Sequence, residues 1–253
     1  MTAPGAPSAE TVVETNGLAA EPVRAAPGTA ATVATLLRKE LRLELRTPQT
    51  VPAMALFSVT TFVVFHFALQ ARSVEGDLAA GVLCVTILFA AILGVNRLFV
   101  ADHEEGGFDG FLLAPVDRTA LLLAKALALL AFLIALELVA VPAFILLLLE
   151  PGLSASALAR LALILLVADI GIAVLGTLVA ALAIQTRTRD LIVPIVALPL
   201  LIPVVIAASR SIAPLLAAAG AGALPGRFLA LLGLYDLVFG LLAYAVFDFL
   251  LEE

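Results

Sequence analysis

The sequence predicts an all-α polytopic membrane protein: six transmembrane helices, an N-terminal interfacial amphipathic helix and a short outer re-entrant helix. Three observations predict it. First, 63% of the 253 residues are hydrophobic and 13% charged, with a mean hydropathy of +1.17, too apolar for a soluble domain of this length. Second, mostly apolar stretches of about 20 residues recur, each long enough to cross a hydrocarbon core of about 30 Å. Third, the Lys and Arg residues gather in the connections that lie on one side of such a membrane, which sets orientation more strongly than the acidic pI of about 4.9.

The elements follow in order. Residues 1–31, rich in Ala, Pro, Thr and Gly and without hydrophobic periodicity, read as a disordered N-terminal tail. They lack both a basic n-region and an apolar h-region, so no cleavable signal peptide is expected. The membrane domain is assigned to 32–253. It opens with an amphipathic helix over Thr32–Arg46, in which Leu37, Leu41 and Leu45 form one i, i+4 row beside Arg38, Arg42 and Arg46. Basic residues flanking a leucine stripe suit a helix lying on the inner membrane surface. Pro48 ends it.

Spans are then drawn at 51–69, 78–100, 119–149, 157–184, 191–208 and 228–250. The apolar segment 212–224 is too short to cross and reads as re-entrant or interfacial. Six spans put both termini on one side. With that side cytoplasmic, ten of the fourteen cations (Arg24, Arg38, Lys39, Arg42, Arg46, Arg97, Arg118, Lys125, Arg187 and Arg189) fall on or near it. Arg72, Arg160, Arg210 and Arg227 fall outside.

The connector between spans two and three, Asp102–Arg118, is the richest segment in specific side chains. It crowds acids, glycines and two phenylalanines between long apolar stretches, and it reads as a docking surface held at the cytoplasmic face. Its candidate contact residues are Asp102, Glu104, Glu105, Gly106, Phe108, Asp109, Phe111, Leu112 and Pro115. Inside the membrane, Glu137 and Asp169 each lie about 18 Å from the outer boundary at about 1.5 Å per residue, a depth at which acids face a bundle interior or a water path. They are read as a polar seam used during conformational change, against the alternative of acids that hold helices together. Asp236 and Asp248 lie nearer the ends and read as solvated. Pro194, Pro199 and Pro203 are expected to kink span five. His66, near the outer end of span one, could contact haem iron, although a hydrogen-bonded packing role is commoner for a lone histidine. His103 is a weaker candidate. Cys84, the single cysteine, reads as a small core residue, which leaves neither a disulfide nor a cysteine metal site; no metal site is expected.

There is no Gly-Lys-Ser/Thr, hence no P-loop, no His-Glu-x-x-His, and no serine in a nucleophile elbow. These features exclude nucleotide hydrolysis by the chain itself and point to a membrane scaffold or conduit energised by a partner, with no catalytic residues, no firmly bound cofactor and no nucleic-acid partner.

Leu36-Leu-Arg-Lys-Glu-Leu-Arg-Leu-Glu-Leu-Arg46 resembles the opening of the ABC-2-type exporter permeases, as does the Glu-Glu-Gly connector with its Pro followed by Lys125. Asn96-Arg-Leu-Phe-Val-Ala-Asp-His-Glu-Glu-Gly106, Phe111-Leu-Leu-Ala-Pro115 and the proline-rich Val193–Val205 are similar to the haem exporter protein B family, the cytochrome c-type biogenesis permease. The resemblance spans roughly residues 35–250. It implies a bacterial inner-membrane permease subunit that pairs with itself and with a separate ABC ATPase, through which ATP acts. It also implies haem as the possible cargo, a haem-handling membrane protein and a periplasmic haem chaperone. The connector would then be a coupling helix, with Phe108, Phe111 and Leu112 as buried anchors and the acids as a polar rim. The polar N-terminal tail and the absence of tryptophan depart from that pattern.

Two other functions compete. A general ABC-2-type exporter of a lipid, polysaccharide or drug is disfavoured by the short first outer loop, 70–77, where many such exporters carry an insertion. A polytopic membrane enzyme, such as a haem lyase or an intramembrane protease, is disfavoured by the missing tryptophan-rich motif and catalytic dyads.

Overall fold

A computed structural model describes residues 28–69, 74–99, 118–149, 152–183, 189–217 and 225–250. Among these residues every regular element is helical. In chain order they are α1 (Thr29–Arg46), α2 (Thr50–Ala68), α3 (Gly76–Arg97), α4 (Arg118–Leu148), α5 (Ala155–Ala183), α6 (Arg189–Ile212), a 3-10 turn (Ala213–Leu215) and α7 (Gly226–Leu250). The six helices α2 to α7 are each long and apolar enough to cross a membrane, as the sequence predicts.

Helices α3 and α5 form the centre. In the α3 membrane window 72% of residues are buried and in α5 67%, against 11% in α7, which lies at the periphery. Helix α5 packs on α4, α6 and α7, helix α3 on α2 and α6, and α1 on α4. Small residues make the central approach possible. A Cβ on Gly176 of α5 would stand 2.6 Å from Val95 of α3 and 3.1 Å from Leu129 of α4, and one on Gly94 would stand 3.0 Å from Met54 of α2. Without lipid-excluding forces between helices, such close backbone packing is a main source of association in a bilayer. Helix α2 presents one i, i+4 row inward, Thr50, Met54, Ser58 and Phe62, and the Phe62 ring meets Phe144 of α4 edge-on at 5.4 Å.

The ends of the helices are fastened by specific bonds. Glu44 in the last turn of α1 accepts the amides of Gln49 (3.1 Å) and Val51 (2.8 Å), so it caps α2 across the Pro48 break. Ser154 Oγ accepts the Ala157 amide at the start of α5. At the opposite end from α1, Val74 N–H donates to the Leu148 carbonyl (3.0 Å) and Gly76 N–H to the Leu216 carbonyl (2.9 Å). Gly76 holds φ +55°, the left-handed region in which a side chain would be strained.

One expectation changes. The fifth span does not stop near residue 208: α6 continues through Arg210 and Ser211 to Ile212 and tightens into the 3-10 turn, so 213–215 is a continuation of the span and not a separate short helix. The polar pair is no terminator because both are satisfied locally. Buried Ser211 donates to the Ala207 carbonyl (2.8 Å), and Arg210 meets Asp77 of α3 at 3.3 Å. The rest of the expected outer helix, 218–224, lies outside the described residues. Helix α6 stays helical through Pro194, Pro199 and Pro203. Tyr235 of α7 donates to the Leu200 carbonyl, next to Pro199, whose own carbonyl loses its helical partner at Pro203.

Candidate functional site

Among the described residues, Lys125 and Asp169 are the buried side chains of charged type, and each marks one of two polar sites. The first lies where the chain leaves α3 and enters α4. Lys125, two turns into α4 and 2% exposed, donates to Glu40 Oε1 of α1 (2.9 Å) and to the carbonyl of Leu98, just past α3 (2.9 Å). Its ammonium also stands over the Phe99 ring, 5.0 Å from the centroid. Val33 and Leu36 of α1 pack on Ala120, Ala124 and Leu127 of α4 around it, while Arg97 donates to Gln49 at 3.3 Å. This packed face of α1 runs through Val33, Leu36 and Glu40, adjacent to the leucine row read from the sequence; Leu45 in that row is 82% exposed.

The second site lies in mid-membrane. Glu137 is about 17 Å along α4 from Leu148, and Asp169 about 21 Å along α5 from Ala155, at about 1.5 Å per residue. The α4–α5 packing brings their carboxyls within hydrogen-bonding reach of each other. No N–H or O–H donor of another residue reaches Glu137 Oε1 or either oxygen of Asp169. Two facing acceptors form a hydrogen bond when one of them carries a proton. Asp169 also borders a cavity of about 20 Å³, walled by Cys84 and Ile87 of α3, Leu165 of α5, and Val204 and Ala208 of α6. The walls of that cavity are almost wholly apolar apart from Asp169.

Asp236 differs from its sequence reading as a solvated residue. One carboxyl oxygen is buried without a hydrogen-bond partner, set against Gly171 of α5, where the missing side chain makes room for it. The bare Gly171 backbone was the signal available in the sequence. Cys84 is buried in the core, as read. His66, half-buried at the end of α2, bonds through Nδ1 to the Leu147 carbonyl, one of the last carbonyls of α4, and sits edge-on to Phe67 at 5.4 Å. A carbonyl only accepts, so Nδ1 is the donor in this contact and Nε2 is the nitrogen not engaged by it.

Of the residues predicted from sequence, Glu137 and Asp169 are thus brought together, and His66 stands apart from them. Asp102, His103, Glu104, Glu105, Gly106, Phe108, Asp109, Phe111, Leu112 and Pro115 lie outside the described residues.

Comparison with known proteins agrees with this architecture. Residues 31–249 match the family model described as CcmB protein. The chain is 35% identical to the haem exporter protein B of Bradyrhizobium diazoefficiens over 184 residues, which cover 70% of this chain and 80% of that protein. It is 33% identical to the protein of the same name from Pseudomonas aeruginosa over 179 residues, 70% of this chain and 78% of that one. The Rhodobacter capsulatus protein of that name is 34% identical over 173 residues, 68% of this chain and 78% of its own length. A match that runs from α1 into the last span, together with relatives at this identity, shows that the chain belongs to the CcmB protein family.

Proposed function

We propose that this chain is the membrane permease subunit of an ABC transporter that exports or delivers haem for c-type cytochrome maturation. The observation that carries this reading is the family membership over 31–249, with relatives named haem exporters. The sequence holds no P-loop, so ATP hydrolysis is assigned to a separate ATPase subunit. That subunit docks on the 102–118 connector, with Phe108, Phe111 and Leu112 as anchors and Asp102, Glu104, Glu105 and Asp109 as the rim, beside Gly106 and Pro115. The junction of α1, α3 and α4 supports this, because it holds both roots of the connector against one lysine. The N- and C-termini face the cytoplasm in the bacterial inner membrane. The permease works as a homodimer, and a haem-handling membrane protein and a periplasmic haem chaperone receive the cargo.

Glu137 and Asp169 form the polar seam that rearranges during turnover, since acids with no outside donor at mid-membrane depth lose little when their helices shift. His66 offers Nε2 to haem iron at the outer end. The H66A variant is expected to retain less haem on the purified permease, read from Soret absorbance; unchanged absorbance leaves His66 as the cap on α4. The docking reading is tested by Phe111→Asp. The variant should insert in the membrane normally and lose co-purification with the ATPase subunit, whereas full co-purification rules the connector out as the docking surface.

A further inference from the structure

We infer that Lys125 is a positioning residue that makes α1 move as one body with the neighbouring ends of α3 and α4, so that α1 is a working part of the transmission path and not a passive surface anchor. The inference rests on the reading that a separate ATPase acts on the 102–118 connector.

The geometry behind it is specific. An ammonium has three donors and no acceptor. Here at least two are spent, at 2.9 Å, on partners from two other segments, Glu40 of α1 and the backbone carbonyl of Leu98, while the aromatic face of Phe99 covers the cation. Glu40 is 12% exposed at its side chain and Lys125 3%, so the pair is held away from water, where its attraction is strong and directional. A buried pair of this kind adds little net stability over apolar residues of the same volume, but it fixes the relative position of the parts that carry it. Stability alone therefore gives a weak reason for a buried lysine here, and position a better one.

The parts it fixes are the relevant ones. Leu98 and Phe99 stand at the end of the segment leading into the connector, and Lys125 lies in the helix that leads out of it. Helix α1 reaches the bundle chiefly through α4. A second tie at the same end, Arg97 to Gln49, joins α3 to the corner between α1 and α2, and Glu44 caps α2 from α1. A pull delivered to the roots of the connector is thus passed to α1 through Lys125, and from α1 to α2 through Glu44. Rigid elements joined at fixed points are how a local shift becomes a movement of whole helices.

The test uses the full permease co-expressed with its ATPase subunit and reconstituted in lipid, with wild type, K125M, K125R and an E40C/K125C pair bridged by a bismaleimide. Cys84 is buried, which keeps the native thiol out of the labelling. K125M should co-purify with the ATPase subunit in wild-type amounts and melt lower than wild type, because Glu40 and the Leu98 carbonyl are left without their cation. Its permease-stimulated ATP hydrolysis should fall in kcat by about fivefold or more, the lower range of measured couplings between sites, with KM for ATP unchanged. K125R should recover most of the rate, and the bridged pair should turn over like wild type, because α1 and α4 have no need to separate. Wild-type kcat in K125M overturns the inference, as does arrest of hydrolysis by the bridge, which would mean that the junction has to open. Should K125M fail to fold, the bridged pair decides alone. Failure of the wild-type permease to co-purify with the ATPase subunit sinks the docking reading itself, an outcome distinct from either.

Discussion

Asp169 is 0% exposed with neither oxygen reached by a donor of another residue, and its neighbour across the α4–α5 contact is a second acid. An amide pair keeps the size of both groups and hydrogen-bonds by an N–H donating to a carbonyl, a proton that does not titrate, so it separates structure from proton-dependent rearrangement. Replacing Glu137 by Gln and Asp169 by Asn together is expected to leave insertion and thermal stability near wild type while slowing transport-linked ATP hydrolysis by about fivefold. Wild-type turnover in the double variant leaves the two acids as packing groups. Their meeting was legible in the sequence, because counting residues from the span ends at a fixed rise per residue puts them at one depth. Asp236 was not legible in this way. Its nearness to a span end suggested water, and what decides its burial is Gly171 on another helix. Gly176 is the residue on which central packing turns. Gly176→Ala forces a Cβ to 2.6 Å from Val95 and should destabilise the protein by about 1–3 kcal/mol, seen as a lower melting temperature in detergent. Gly233→Ala, with open space around it, should be neutral or slightly stabilising.

The six spans were legible as elements because a bilayer demands about 20 apolar residues at a stretch and every internal backbone group paired within the helix. Most ends fall within three residues of the sequence reading. The exception is the end of α6, where Arg210 and Ser211 look like a terminus in sequence and are instead satisfied by Asp77 and by the helix's own Ala207 carbonyl. The three prolines of α6 sit inside a helix that continues through them, and Tyr235 of α7 donates to the Leu200 carbonyl beside Pro199. Tyr235→Phe removes that donor and should cost about 1 kcal/mol, read as a lower melting temperature with the same helix content. The corner between α1 and α2 makes a separate prediction. Glu44→Ala leaves the amides of Gln49 and Val51 without their acceptor, costs about 1 kcal/mol, and should speed hydrogen exchange at those two amides well before the rest of α2. Unchanged exchange there would show that Glu44 does not cap the helix.

At the scale of the whole molecule, the bundle has a dense centre in α3 and α5 and a looser periphery in α7; among the described residues the buried charged-type side chains are Lys125 at the α1–α3–α4 junction and Asp169, beside half-buried Glu137, in mid-membrane. The family could be read from the order of short motifs along the chain. The junction could not, because Glu40 and Lys125 are 85 positions apart and each sits among residues with a ready surface explanation. Glu40 belongs to a charged amphipathic helix, and Lys125 is one cation of ten on its side in the positive-inside count. Only the packing of α1 on α4 makes them partners. The central claim is that this chain is a haem-linked permease worked by a separate ATPase through the connector between α3 and α4. The most direct test is ATP-dependent release of haem-loaded periplasmic chaperone from the reconstituted complex, comparing wild type with Phe111→Asp. The account predicts release that needs ATP in the wild type and is lost in the variant together with ATPase co-purification. ATP-dependent release at the wild-type rate from Phe111→Asp, with the ATPase subunit still bound, would contradict it.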